Sequence, residues 1–383
     1  MSSPHPLPPG FPRPAWVEVD LDALARNVRQ IRSDLPSHVQ LLQVVKDNAY
    51  SLGAAKIAHI SLENGVDEFA TFTVGEAVEL RNTGLIAPIL LLGERIPEEF
   101  PWIKSHRLTP CVGSVETAIA LDAYARQQGL AMPVHLKINS GMNRFGFCWR
   151  SLDDWAPQLT RCQHLQISGA LTHFAQSDEL DKTFARQQLA NFKQVLAQLH
   201  TWGINPKTIH ACNSGGFLDL PEAHFDMVRV GILVLGVYPS QVCRRLPKLD
   251  PVMSIKARIT AIQNLQPGDT VGYGMRFRAE STRRIAVLPL GYGDGFPRVR
   301  NEGRALIHGL PAPLVGGVSM DAITVDITDI PHAQCGDEAV VLGRQGTQEV
   351  TVHELAALKR SVSYDILAGW RNRLPRIYRG GSQ

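Results

Sequence analysis

The chain has 383 residues, 44% hydrophobic and 20% charged, with 39 basic and 36 acidic side chains and a formal net charge of +3. That length admits two domains, or a barrel of about 250 residues with a smaller partner, and a core large enough to need no staples. The balanced charge and the lack of a Lys/Arg block argue against nucleic acid or an anionic membrane as partner, and no stretch reaches the roughly 18 apolar residues of a membrane span.

The first segment, MSSPHPLPPGFPRPAW, has no apolar centre and is not read as a secretory signal. Its prolines predict an extended or disordered arm over residues 1–15. The six cysteines (Cys111, Cys148, Cys162, Cys212, Cys243 and Cys335) form no C-x-x-C pair. They read as buried free thiols, so a cytoplasmic address is expected and a metal site is not.

WVEVDLDALARNVRQI (16–31) begins as a strand and becomes a helix, and could join either domain. From residue 39 to about 236, short apolar runs alternate with amphipathic stretches. The runs are LLQVVK (41–46), EFATFT (68–73), ILLLG (89–93), LTPCV (108–112), VHLKIN (134–139), ISGALTHF (167–174), TIHACNS (208–214) and VRVGILVLG (228–236). Continuous apolar runs suit strands covered on both faces, as in a parallel sheet. Between them, residues 182–203 predict a core-facing helix, with Phe184, Leu189, Phe192, Leu196 and Leu199 near one stripe and Gly203 as its stop. Eight such units predict a (β/α)8 barrel over 16–248; an open doubly wound sheet would usually show an early Gly-rich loop, which is missing. After Leu246-Pro247-Lys248 the texture changes to strands separated by turns such as QPGD, GYGDG and GRQG, predicting a mostly-β domain over 249–383 with a helix near 350–360.

The chemistry-bearing residues fall at the ends of the predicted strands, where (β/α)8 barrels place their active sites. Lys46 ends the first. Desolvation there would lower its pKa and free the amine for covalent chemistry, although it could also snorkel or pair with Asp47. Lys137 ends the fifth, and Arg144 follows after a turn. Two cations there call for an anionic ligand or a modified lysine, unless surface acids pair with them. His173 ends the sixth and Asn213-Ser214 the seventh. Ser214-Gly215-Gly216 then opens a helix that is either an ordinary cap or a phosphate site. The eighth supplies Arg229 and Gly231. In the β domain, Tyr273 lies in VGYGM, Tyr292 in GYGDG and Asp321 after Met320 in GVSMDAI; tyrosines in such turns are more often structural than catalytic.

Taken together, VVKDNAY, HLKINSGMNRFG, ALTHFAQSDE, ACNSGG, FDMVRVGILVLGVYPS, VGYGM, GYGDG and VSMDAI resemble the alanine racemase family in order and spacing along nearly the whole chain. The resemblance implies pyridoxal 5′-phosphate as cofactor, bonded to Lys46. It implies phosphate contacts from Tyr50, Ser214 with its neighbour Asn213, and the backbone of Gly231 and Ile232. It puts Arg229 on the pyridine nitrogen, His173 on the ring, and Arg144 near the phenolate beside a Lys137 that is usually carbamylated. Lys46 and Tyr273 become the two catalytic bases for the D and L faces of alanine, with Tyr292, Met320 and Asp321 at the substrate end together with Arg144. In the family these β-domain groups come from the other subunit, so a head-to-tail homodimer is implied, as is D-alanine supply for peptidoglycan.

Two departures stand out. The lysine motif usually continues Gly-His-Gly, and here reads Ser51-Leu52-Gly53. The tyrosine usually preceding Arg-Val-Pro-Arg is Asn372 here, a smaller group that would admit side chains such as serine's. A serine/alanine racemase, a decarboxylase of basic amino acids and a cofactor carrier without catalysis are the competing readings.

Overall fold

Gln40–Val44 buries Leu41, Leu42 and Gln43 in succession, as a strand covered on both faces must. A computed structural model describes residues 13–381, and that strand, β1, is the first of eight parallel ones. The others are β2 (Glu68–Thr71), β3 (Ile89–Leu91), β4 (Thr109–Val112), β5 (Met132–Asn139), β6 (Leu165–Leu171), β7 (Thr208–His210) and β8 (Met227–Val230). Each pairs with the next through β7, and β8 pairs with β1. Asp226 N donates to Ile209 O and Arg229 N to Cys212 O, both at 3.0 Å, which brings β8 beside β7 and nearly closes the circle. Leu42, Ala70, Leu90, Cys111, Leu171 and Met227, from six of the strands, form one apolar cluster, a convergence that the interior of a barrel provides. The eight runs and the barrel are therefore as expected.

The intervening helices follow local rules. Val74–Asn82 is opened by Thr73, which accepts from Glu76 N while Glu76 accepts from Thr73 N, a reciprocal capping box. The long helix spans Thr183–Thr201 and buries Leu189, Phe192 and Leu199, whereas Phe184 in its first turn is exposed.

The described residues form two compact units: the barrel unit, residues 24–49 and 54–249, and a β unit of residues 13–23, Tyr50–Gly53 and 250–381. Residues 16–20, grouped above with the barrel, lie in the β unit. Their strand, Ala15–Asp20, pairs antiparallel with Met253–Arg258 and parallel with Arg376–Arg379. It buries Ala15, Trp16, Val17 and Val19, so it needs neighbours on both edges and cover on its apolar face. The same sheet continues through Glu338–Gln345, Arg304–Ile307 and Leu310–Pro313. A second sheet joins Ala261–Leu265, Arg283–Leu288 and Ile323–Asp326, and the expected late helix is Val352–Lys359. Of the arm expected over residues 1–15, residues 1–12 lie outside the described residues, while Ala15 belongs to the strand Ala15–Asp20 rather than to an arm. Of the cysteines, Cys335 is exposed and Cys148 only partly buried; the other four are buried as expected, and all six are free thiols.

Candidate active site

Past β1 the backbone takes a course that side-chain patterning does not announce. Asp47, Asn48, Ala49, Tyr50 and Ser51 have φ of 54, 52, 52, 55 and 69°, a turn of left-handed helix built from residues with side chains. Each such residue costs about 1–2 kcal/mol, so the turn persists only because its surroundings fix it. Glu76 Oε1 accepts from Asp47 N at 2.5 Å, Val45 O from Ala49 N at 2.9 Å and Asn48 Oδ1 from Ala54 N at 2.8 Å. Further on, Ser51 Oγ donates to Leu367 O at 2.7 Å and Ser51 O accepts from Arg376 Nε at 2.9 Å. Ser51, a departure from the family motif, thus has a structural use. Tyr50 is buried, its ring centre 6.4 Å from that of Tyr364.

Lys46, at the head of this turn, is partly buried. Desolvation, reinforced by the positive charge of Arg144, lowers its pKa against the opposing pull of Glu76 and Asp47. Lys137 is 5% exposed; its amine donates to Ile138 O at 3.3 Å and lies 5.7 Å from the Phe145 ring centre. Burial, then Arg229, brings its pKa down to about 7, with Arg144 adding to the effect. The surface pairing considered for Lys137 is therefore not what the fold provides. Gly146 keeps the space beside it open: a Cβ there would come within 2.8 Å of Lys137 O.

Arg229 is buried on β8 and its partners are neutral. Nη2 donates to Thr172 O at 2.7 Å, Ala211 O at 3.1 Å and His173 Nδ1 at 3.2 Å, and Nη1 donates to His210 Nδ1 at 3.1 Å. Burial lowers even this guanidinium to about 10. Desolvation, Arg229, Lys137, Arg144 and Lys46 together hold His173 well below its ordinary value, so its ring is neutral. His210 is neutral for similar reasons, and burial takes His135 down to about 4. Because arginine only donates, His210 Nδ1 must accept; His210 Nε2 then carries the proton shared with His135 Nδ1 at 2.8 Å. Neither His135 nor His210 was singled out in the sequence. The available signal was alternation: His135 lies two residues before Lys137, on the same face of β5.

The loops after β7 and β8 meet at Ser214, whose Oγ accepts from Gly231 N at 3.2 Å. Asn213 Oδ1 caps the following helix through Gly216 N at 2.9 Å and accepts from Ser177 Oγ at 2.7 Å. Ile232 begins the short turn Ile232–Leu235. The barrel unit thus gathers Lys46, Lys137, Arg144, His173 and Arg229 at the C-terminal ends of its strands, and Asn213, Ser214, Gly231 and Ile232 around one pair of loops. Tyr273, Tyr292, Met320 and Asp321 belong to the β unit. Tyr273 sits at the tip of the hairpin Thr270–Val271/Phe277–Arg278, between Gly272 (φ 70°) and Gly274 (φ 75°), and is 82% exposed. Met320 is 51% exposed. Among the described residues, no three His, Cys, Asp or Glu side chains are grouped to hold a metal ion, and no helix is long and apolar enough to cross a membrane.

The family models for the alanine racemase N-terminal domain and C-terminal domain match residues 19–239 and 252–378. The chain belongs to the alanine racemase family. It is 37% identical to an alanine racemase of Halothermothrix orenii over 96% of this chain and 97% of that one. With an alanine racemase of Carboxydothermus hydrogenoformans it shares 38% identity over 96% and 100% of the two chains. The alanine racemase structure from Clostridium difficile 630 superposes with a TM-score of 0.91 at 32% identity, covering 96% of each chain. The family works with pyridoxal phosphate, which is this chain's cofactor. The donor set fits it. An amine of lowered pKa and a buried guanidinium paired only with neutral groups, with Lys137 and Arg144 close enough to influence them electrostatically, suit an anionic, nitrogen-bearing ring.

Proposed function

We propose that the chain is an isomerase that interconverts L- and D-alanine. The observation that carries this is the group Lys46–Arg144–His173–Arg229, positively charged or neutral throughout and set at the strand ends of a barrel whose family is defined over both units. Lys46 would bond the cofactor's aldehyde carbon, and Arg229 would donate to its ring nitrogen. Ser214, Asn213, Tyr50 and the backbone of Gly231 and Ile232 would hold the phosphate, with His173 against the ring and Arg144 beside the phenolate. Bound pyridoxal phosphate makes the α-proton acidic by accepting the electron pair left behind.

The protein's own residues then move protons. Lys46, its pKa lowered by burial and by Arg144, takes or returns the proton on the D face. Tyr273 does so on the L face, and Tyr292, Met320, Asp321 and Arg144 bound the substrate. Since Tyr273 stands exposed on a hairpin tip, we infer a head-to-tail homodimer in which these β-unit groups complete the partner's barrel. Lys137, its pKa brought down to about 7 by burial and Arg229, would attack carbon dioxide as the free amine and release one proton. The resulting carbamate is an anion between Arg144 and Arg229. Six free thiols favour the cytoplasm, where the product would feed peptidoglycan precursors.

The test is chiral chromatography of L-alanine and, separately, L-serine after incubation with the purified protein and pyridoxal phosphate. Inversion of alanine supports the reading. If alanine stays unchanged while the cofactor is bound to Lys46, the reading fails. The matches over both units do not favour the decarboxylase, the carrier or the serine/alanine enzyme.

A further inference from the structure

Asp294, in the turn Gly291-Tyr292-Gly293-Asp294-Gly295, has a side chain wholly removed from water. Its Oδ2 accepts from Gly291 N at 2.9 Å and from Arg13 Nη2 at 2.8 Å. Arg13 Nη1 lies 2.7 Å from Oδ1, and Arg373 Nε 3.5 Å from the same oxygen. Arg373 in turn binds Asp321 through Nη2. Arg13 also donates to Arg373 O at 2.8 Å and Pro289 O at 3.3 Å, and Asp294 O accepts from Arg371 N at 2.9 Å. The result is one charged chain, Arg13–Asp294–Arg373–Asp321, within the β unit.

Three loops are locked around it. Tyr292 N and Gly293 N donate to Ser319 O and Met320 O at 3.1 and 2.9 Å. There is no slack: a Cβ on Gly291 would lie 2.2 Å from Ser319 O, and one on Gly295 would lie 2.3 Å from Gly369 O. These loops carry Tyr292, Met320 and Asp321, and the neighbours on both sides of Asn372 are tied to Asp294. A buried carboxylate demands a full set of partners, and Arg13 supplies two of its contacts from a segment far away in sequence.

We propose that Arg13 is a positioning residue that sets substrate discrimination by fixing these three loops. The proposal rests on the reading above that Tyr292, Met320 and Asp321 stand at the substrate end. Arg13 itself touches no substrate. Removing its charge frees Asp294 to turn toward Arg373 alone, and the Met320–Asp321 and Asn372 segments move with it.

The test compares the holoenzyme with Arg13→Met, Arg13→Gln and Arg13→Lys. For Arg13→Met we expect the KM for L-alanine to rise about fivefold, with kcat within about twofold of the parent. The serine-to-alanine ratio of kcat/KM should shift about threefold, and Arg13→Lys should restore most of it. Hydrogen exchange should quicken at 290–296, 319–322 and 370–374 and stay unchanged at 40–46. Should Arg13→Met fail to fold, Arg13→Gln carries the same readouts. Faster exchange with parent-like KM and ratio would reduce Arg13 to a structural anchor and overturn the proposal. Unchanged exchange would overturn it more directly. A parent enzyme that does not racemise alanine brings down the proposed function; a parent that does, with variants indistinguishable from it, brings down only the role of Arg13.

Discussion

Arg229 Nη2 donates to His173 Nδ1 across 3.2 Å, which leaves the remaining proton of that neutral imidazole on Nε2. One buried cation thereby dictates the tautomer of His173, and of His210 through Nη1.

As the proposed partner of the cofactor's ring nitrogen, Arg229 could only donate and would disfavour a proton there. Arg229→Glu offers an acceptor instead. We expect racemisation to fall by about 10²-fold or more, and side reactions such as transamination to rise about tenfold per turnover. Counting pyruvate and pyridoxamine phosphate against D-alanine checks this; an unchanged ratio would count against the role.

Tyr273→Phe removes the proton acceptor proposed for the L face only. Loss of one general base costs about 10²–10⁴-fold. Wash-out of the α-deuteron should therefore collapse for L-alanine and persist for D-alanine. Equal losses on both sides would sink the two-base assignment.

Lys137 titrates near 7 when folded against an ordinary value of 10.5, so the unfolded chain binds more protons between these limits. Its burial cost is full below about pH 7 and fades as pH rises toward about 10.5. Cofactor-free protein in carbon-dioxide-free buffer should gain Tm relative to Lys137→Met across that window, and parallel curves would refute the burial cost. With ¹³C-bicarbonate, a carbamate resonance should appear in the parent and vanish in Lys137→Met.

Asn48→Ala discards both the residue type that tolerates a left-handed backbone and the bond from Ala54 N. We expect a loss of about 1–2 kcal/mol in unfolding free energy. Activity should fall with it, because the turn begins at Lys46. Denaturant unfolding beside initial rates separates the two effects.

Much of this was legible in the sequence, for a physical reason. Buried parallel strands must be apolar throughout, so β1 to β8 announced themselves as runs, and barrel geometry put Lys46, Lys137 and His173 at their productive ends. What stayed hidden depends on partners distant along the chain. Asp47 and Asn48 tolerate a left-handed backbone, but nothing in Ala49, Tyr50 or Ser51 signals one; Glu76, Leu367 and Arg376 hold the turn. The pairing of His135 with His210 joins β5 to β7, and a histidine in an apolar strand reads as ordinary core. Gly169 makes room for that pair, since a Cβ there would lie 2.6 Å from the His135 ring. Arg13 reads in sequence as part of a proline-rich arm, because its partner Asp294 lies far along the chain.

The strand Ala15–Asp20 has its neighbours at Met253–Arg258 and Arg376–Arg379. On the ribosome it emerges early and then waits, with both edges bare, for more than two hundred residues to follow. At about 5–20 residues per second that delay is on the order of tens of seconds, time enough for the barrel to close first. A nascent chain released before Met253–Arg258 is made would leave Ala15–Asp20 an unpaired apolar strand, and one released before Arg376–Arg379 would leave it one bare edge, open to pairing with other chains.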